Sequence, residues 1–428
     1  MKMRIVLLLT SCFLLCAGQS FAAGFALIEQ SVKGLGTAYS GGAAAAEDAS
    51  TVFFNPAGMT LLEGTQSTAG IHVIVPQADF RATVATDRAG ASILASTADG
   101  NGGQLKPVPN AYLVHNPGNG VVFGIGINAP FGMATEYDRS WVGRYHAVGS
   151  DVKTININPS MAYKINKNLS AGAGISAQYI EATLSSMIYA APGNDVFSEM
   201  TADDWGFGYN FGLLLTTDDA RTRLGASYRS QVDQHLKGDV NFDFTSAPGI
   251  PAAFFPAQGV GGDISLPASA QVSLYHRFSP EFAMMADAMW TDWSVFKELK
   301  IDFDLGIGGP GLPIKSTTTP ENWRDNMRYS VGAAFNPTPQ LTLRGGVALD
   351  TSPIPDNYRT PRIPGNDRYW VAFGAGYASG NWAADFGYAH LYVKNGTVNL
   401  NSATNLNALV GSFDNQVDII SAEMSYKF

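Results

Sequence analysis

The side chains best able to do chemistry in this chain are arginines set on alternating runs. Arg324 and Arg328 share one parity with Asn326 and Ser330, while Trp323, Met327, Tyr329, Val331 and Phe335 hold the other, interrupted by Asp325. In the next run Arg344 falls with Gln340, Thr342 and Asp350, opposite Leu341, Leu343, Val347 and Leu349, and Arg368 follows in Asp367-Arg368-Tyr369-Trp370. A guanidinium sheltered from water can fork onto a carboxylate. That carboxylate can belong to a ligand or to an acidic side chain of the same wall, and spacing alone does not choose.

Other chemistries have thinner support. The six histidines, His72, His115, His146, His235, His276 and His390, show no metal-ligand spacing, and no G-x-S-x-G elbow is present. Gly306 to Gly311 fits G-x-G-x-x-G, but a loop containing Pro310 is not the strand-to-helix turn that cradles a nucleotide. Gly172 to Ala177 is a similarly weak match inside a strand. No cofactor, metal site or catalytic residue is expected, although a hydrolase built from a distant Ser and His is the enzymatic rival.

The first 22 residues combine Lys2 and Arg4, an apolar run from Ile5 to about Ala17, and the small residues Ser20 and Ala22. They read as a secretion signal with the mature chain starting at Ala23. A lipoprotein reading of Leu9-Thr10-Ser11-Cys12 would leave only Ile5 to Leu9 as its apolar core. Both cysteines, Cys12 and Cys16, lie in the signal, so the mature chain has no disulfide or thiol. Removing Lys2 and Arg4 takes the formal charge from -9 to -11, an unsuitable balance for nucleic acid.

Charged residues make up 15% of the chain, which carries 46 glycines and, after the signal, no apolar run long enough for a spanning helix. From Gly64 onward about fourteen strand-like segments follow, of the length that crosses a bilayer at a tilt. Tight turns at 115–120, 166–168, 217–220, 279–281, 336–340 and 379–381 alternate with longer connections near 81–104, 132–150, 188–203, 244–263, 303–321, 351–366 and 395–414. Such alternation puts every turn at one end of a barrel and every loop at the other. In the last strand Ile420, Ala422, Met424, Tyr426 and Phe428 oppose Ser421, Glu423, Ser425 and Lys427. A lipid-facing Arg near the midplane costs roughly 2 to 4 kcal/mol, so the polar parity belongs inside.

The predicted fold is therefore all-β, a transmembrane antiparallel β-barrel of about fourteen strands in the bacterial outer membrane. A barrel of that girth is wider than its own side chains fill. The Gly- and Ala-rich segment 23–62 shows neither a helical stripe nor sustained alternation, and is the available filler: an N-terminal hatch ahead of a barrel over 63–428. An open diffusion porin, the other rival, lacks such a segment.

Several motifs follow one another in order along the chain. They include Ala23-Gly24-Phe25, Gly34-Leu35-Gly36 with Ala38-Tyr39-Ser40-Gly41, Asn55-Pro56-Ala57, Gly132-Met133-Ala134-Thr135-Glu136-Tyr137 and Trp205-Gly206-Phe207-Gly208. Tyr228-Arg229-Ser230, Leu266-Pro267, Trp293-Ser294 with Phe296, Asp350 with Ser352-Pro353, and Asp367-Arg368-Tyr369-Trp370 continue the series. Together they resemble the FadL-type outer-membrane transporters of long-chain fatty acids and related hydrophobic compounds, which implies an apolar pocket reached from outside and a kinked third strand through which ligand leaves sideways into outer-membrane lipid. Passive movement is expected, and a closed barrel with its own plug can work as a monomer. The third strand is expected over 121–131, and Asn128-Ala129-Pro130-Phe131-Gly132 marks the lateral opening, since proline has no N–H for a ladder. A plain strand end at Pro130 is the alternative.

By the same resemblance Phe25 touches ligand, and Asn55, Pro56 and Ala57 belong to the gating hatch. Arg324 and Arg328, with Arg344 and Arg368 behind them, are candidates for a fatty acid carboxylate or for structural ion pairs. Ile250, Phe254 and Phe255 form an apolar set in a long loop, read as an outer binding groove or as loop collapse onto the rim. Fatty acid, alkane and aromatic hydrocarbon all fit a greasy pocket.

Overall fold

The computed structural model describes residues 24–95, 100–308, 313–401 and 407–428. The secretion signal read at 1–22 and the start at Ala23 lie outside them, as do residues 309–312 of the glycine-rich loop.

Gly64–Lys427 is one antiparallel sheet of twenty segments that joins end to end as fourteen staves of a closed barrel. In chain order these are β1 (Gly64–Ala85), β2 (Lys106–Asn116), β3 (Val121–Asn128 and Gly132–Glu136), β4 (Gly149–Lys164), β5 (Leu169–Ala191), β6 (Asn194–Thr216) and β7 (Thr222–Arg229 and Val232–Asp243). They continue as β8 (Gln258–Leu266 and Ser269–Arg277), β9 (Phe282–Thr291 and Glu298–Ile307), β10 (Ile314–Pro320 and Asn326–Phe335), β11 (Leu341–Asp350), β12 (Arg368–Ser379), β13 (Trp382–Val393 and Gly396–Asn399) and β14 (Leu409–Lys427). Closure comes from β1, which pairs with β2 from Gly64↔Asn116 and with β14 from Gln66↔Lys427. No sheet edge is left along that seam, as hydrocarbon requires.

Period-2 alternation sets the two faces. On β14 Ile420 and Met424 are exposed while Ser421 and Glu423 are buried, and on β11 Leu343, Val347 and Leu349 are exposed while Arg344 and Asp350 are buried. Phe207, 74% exposed, belongs to an outer band of large apolar side chains that water would not tolerate and lipid does. At the tight end, Gly118 and Gly120 adopt φ of 80° and 90° in the turn between β2 and β3, a region where side chains crowd the backbone.

Two expectations need correction. The connection at 188–203 is not a long loop: β5 and β6 are 23 residues each and meet at a hairpin around Gly193, and β9 and β10 likewise run on through most of 303–320. These extensions rise past the bilayer because they have a core of their own, in which Val196, Val240, Phe255, Val260 and Phe303 are buried together. The third strand is broken within the expected stretch 128–132, so it is the alternative of a plain strand end at Pro130 that fails. It stops at Asn128 and resumes at Gly132.

Residues 24–62 lie against the inner face as short pieces: α1 (Val32–Gly36), α2 (Gly42–Ala45), α3 (Thr51–Phe54) and a 3-10 turn, Pro56–Leu61. Ser31 caps α1 by accepting from Gly34 N, and Asn55 caps the turn by accepting from Ala57 N. Glycines on the wall admit this segment. A Cβ on Gly212 would strike Asn55, and one on Gly346 would strike the Thr37 backbone.

Candidate functional site

The break in β3 leaves a gap in the wall. The β2–β3 ladder runs only from His115↔Phe123 to Ala111↔Ile127, although β2 pairs with β1 as far as Lys106. Beyond the break, Gly132–Glu136 pairs with β4 and meets its other side at the single bridge Gly103↔Thr135. Unpaired backbone at this depth must find other partners. The start of the N-terminal segment supplies them: Leu27 N donates to Pro130 O at 2.8 Å, Gly132 N donates to Phe25 O at 2.7 Å, and Ala26 and Phe131 form a bridge. Gln30 Nε2 donates to Ala129 O, and Thr154 Oγ1 both accepts from Phe131 N and donates to Phe131 O.

Phe25, adjacent to that bridge, is 2% exposed. Its ring lies 4.6 Å from Trp293, 5.8 Å from Phe296, 5.9 Å from Trp323 and 6.1 Å from Phe131. Staves β9 and β10 are interrupted at this level, which turns Trp293, Phe296 and Trp323 inward around it. Gly24 is held there too, since a Cβ would stand 2.6 Å from both Trp293 and Trp323.

The same residues divide two cavities. The inner one, with ≈ 940 Å³ of empty space, is bordered by Ala26, Leu27 and Ile28, by Phe53, Phe54 and Pro56, by Pro130 and Phe131, and by Arg229, Arg328, Asp350 and Trp370. The outer one, ≈ 830 Å³ on the loop side, is bordered by Phe25, Met133, Ile180, Leu236 and Phe296, with Glu321 and Arg362 among its few polar neighbours. Burial in this greasy setting raises the Glu321 carboxyl to about 8, against the opposing pull of Trp323 Nε1–H and Arg362. It lowers the Arg362 guanidinium to about 10, although Glu321 and Tyr137 act the other way.

The arginines separate into different roles. Arg328 is buried and borders the inner cavity, donates from Nη2 to Ala38 O at 2.7 Å, and stacks its guanidinium over Trp370 at 5.1 Å. Arg368, fully buried, lies 3.8 Å from Asp350. Arg344 instead ties the N-terminal segment to the wall, 3.4 Å from Glu47 and 2.9 Å from Asp385. Arg324 corrects the parity reading: the ladder begins at Asn326, so Arg324 sits outside it, exposed, and borders neither cavity, while Trp323 turns into the buried cluster. Phe254 and Phe255 also border neither cavity. Phe255 is buried against the loop-side strand extensions, with Phe254 half-buried beside it.

Asn55-Pro56-Ala57 docks on the wall: Asn55 Nδ2 donates to Ala43 O and to Leu213 O, Pro56 borders the inner cavity, and Ala57 is fully buried against Leu214. Gly172, singled out in a weak nucleotide-loop pattern, is paired with Gly212 and clears the space these residues need. Sequence reasoning missed Lys33, Asp48 and Asp385. Lys33 Nζ lies 3.0 Å from Asp48 and 3.6 Å from Asp385, all three largely buried. Burial alone would lower the Lys33 ammonium, but the two carboxylates outweigh it and hold it above its ordinary value. Burial would likewise raise Asp48, yet Lys33 and Ser50 hold it down at about 2. Glu29, buried beside the inner cavity, was missed as well.

A closed barrel with an apolar outer belt and two greasy cavities in series defines an outer-membrane protein of the transport class. The chain belongs to the family described as outer membrane protein transport protein (OMPP1/FadL/TodX), whose model matches residues 13–428. It is 34% identical over 416 residues to the 47 kDa outer membrane protein of Pasteurella multocida, covering 91% of this chain and 92% of the relative. It is 31% identical over 413 residues to the long-chain fatty acid transport protein of Escherichia coli O6:H1, covering 88% and 89%. The crystal structure of a Pseudomonas aeruginosa FadL homologue superposes with a TM-score of 0.85 at 25% identity, over 95% of this chain and 100% of that one.

Proposed function

We propose that this protein is a passive, non-enzymatic monomer that takes up long-chain fatty acids or similarly hydrophobic molecules, with residues 1–22 as its export signal, 23–62 as hatch and 63–428 as barrel. Ligand enters the loop-side cavity, passes Phe25–Ile28 into the inner cavity, and leaves sideways through the wall at Asn128–Gly132 into outer-membrane lipid. The observation that carries this reading is the backbone bridge from Phe25–Leu27 to Pro130–Gly132. One movable segment both divides the cavities and closes the wall gap, so a single displacement joins all three. The name of the Escherichia coli relative supports the ligand class.

Both cysteines of the sequence precede residue 23, so a disulfide can be placed without competitors. Replacing Ala26→Cys and Phe131→Cys staples the bridge, and uptake of a labelled fatty acid is expected to stop under oxidation and return with reductant. Full uptake by the stapled protein would remove the lateral route. A large steady ion current from the unaltered protein in a planar bilayer would remove the plugged reading.

A further inference from the structure

Glu29 is an acid without an assigned purpose. It is 1% exposed, and its Oε2 has no hydrogen-bond partner among the described residues. It directly follows Ile28, which borders the inner cavity, and precedes Gln30, whose amide bonds the broken stretch of β3. Four groups face it from the elements packed around it: Arg328 on β10, Asp350 at the end of β11, Arg368 on β12 and Tyr39 within the N-terminal segment. Arg328, Asp350 and Trp370 border the cavity, and Arg328 Nε and Trp370 Nε1 are buried donors without partners among the described residues. The polar end of an otherwise greasy cavity thus offers unused N–H groups beside two cations.

We infer that Glu29 is the protein's own stand-in for a ligand's anionic head group: unliganded, it occupies the field of Arg328 and Arg368, and an incoming alkyl anion displaces it and frees the start of the hatch. Arg328 and Arg368 already face two carboxylates, Glu29 and Asp350, so an incoming anion meets a repelling charge that Glu29 can withdraw. Asp350 is the better held, accepting from Asn326 Nδ2 at 3.1 Å and lying 3.8 Å from Arg368. Among the described residues Glu29 has only its own backbone N–H as a hydrogen-bond donor, and it sits on the segment that the bridge to β3 holds in place. It yields either by moving or by taking a proton from water. Burial raises its carboxyl to about 7, with its own backbone N–H, Arg328 and Arg368 pulling the other way, so the proton is available near neutral pH. Where Glu29 yields by moving, head-group binding and hatch opening become one event, and a neutral ligand lacks this lever.

The inference rests on the proposed transport function, and the test separates the two. The full chain in detergent is titrated with dodecane sulfonate, an anion throughout the range used, and with dodecanol. At about pH 8, Glu29→Gln is expected to bind the sulfonate about tenfold more tightly than wild type, since it lacks one repelling charge, with dodecanol unchanged. Wild type alone gives a second check: its sulfonate affinity rises as pH falls from about 8 to about 6, and this slope vanishes in Glu29→Gln. Equal changes for both head groups, or none, overturn the inference and leave the transport reading standing. Failure of wild type to bind either probe overturns the transport reading itself.

Discussion

The N-terminal segment is held at two places by different physics. Its start, Gly24–Ile28, is fixed by two backbone hydrogen bonds to the broken strand and by aromatic contacts around Phe25. Its base, from Val32 on, is tied by directed bonds to many staves: Val32 N to Glu423, Ala43 N to Ser273, Arg223 to Ala45 O, Arg229 to Phe53 O and Thr60 to Ser170. The buried Lys33–Asp48–Asp385 cluster, and Arg344 between Asp385 and the exposed Glu47, add charge to that base. Apolar packing is non-directional, so a greasy ligand can replace what Phe25 loses when it moves. No such substitute exists for the base. A ligand can therefore move the first residues while the plug as a whole stays seated.

The sharpest way to break this contrast is at the base. Lys33→Met leaves Asp48 and Asp385 without their shared cation, and removing one partner of a buried pair costs about 3 to 5 kcal/mol. The plug is expected to loosen as a whole, seen as raised single-channel current and as hydrogen exchange spreading from Val32 to Leu62. An unchanged current would place the anchorage elsewhere. Phe25→Ala should act more narrowly. Truncating a buried Phe costs about 3 kcal/mol or more, but here the loss falls on the start alone, with faster exchange at Ala26 and Leu27 and weaker retention of ligand. Current through the barrel should stay low, and a rise to the Lys33→Met level would erase the distinction between the two anchorages.

Much of the enclosing wall was legible in the sequence because a membrane barrel writes its rules residue by residue. Alternation on β11 and β14 and the turns at 166–168 or 379–381 follow from lipid on one side and water at the ends. The extension of β5 and β6 to their hairpin was not legible, because nothing local separates a strand in lipid from one continuing into a loop-side core. Arg324 was misplaced for a related reason: parity fails wherever a ladder is interrupted, and β10 is interrupted just before Asn326. At the site, Pro130 was visible as missing a donor. The residues that repair the gap, Phe25 to Leu27, lie about a hundred positions earlier in a segment without periodicity. Lys33 and Glu29 gave no signal there, since their meaning comes from partners on strands far along the chain.

The two anchorages should also answer pH in opposite directions. Asp48 is held at about 2, below its ordinary 3.8, so its contribution to the base is fully present above that ordinary value and is lost as pH falls through about 2. Glu29 is raised to about 7 from an ordinary 4.5. Its protonated form favours the closed start, a contribution fully present below 4.5 and lost as pH rises through about 7. Between pH 5 and pH 8 the start should loosen while Asp48 stays ionised, and one titrating group can alter an opening equilibrium by at most about tenfold per pH unit. Hydrogen exchange corrected for its intrinsic pH dependence reads both regions in one experiment. Amides of Ala26 and Leu27 are expected to open more as pH rises through that window, and Glu29→Gln to flatten this trend while leaving the amides of Ala43 and Asn55 as they are in wild type. A parallel response at both places would mean that the segment moves as one body, and the contrast drawn from its contacts would fail.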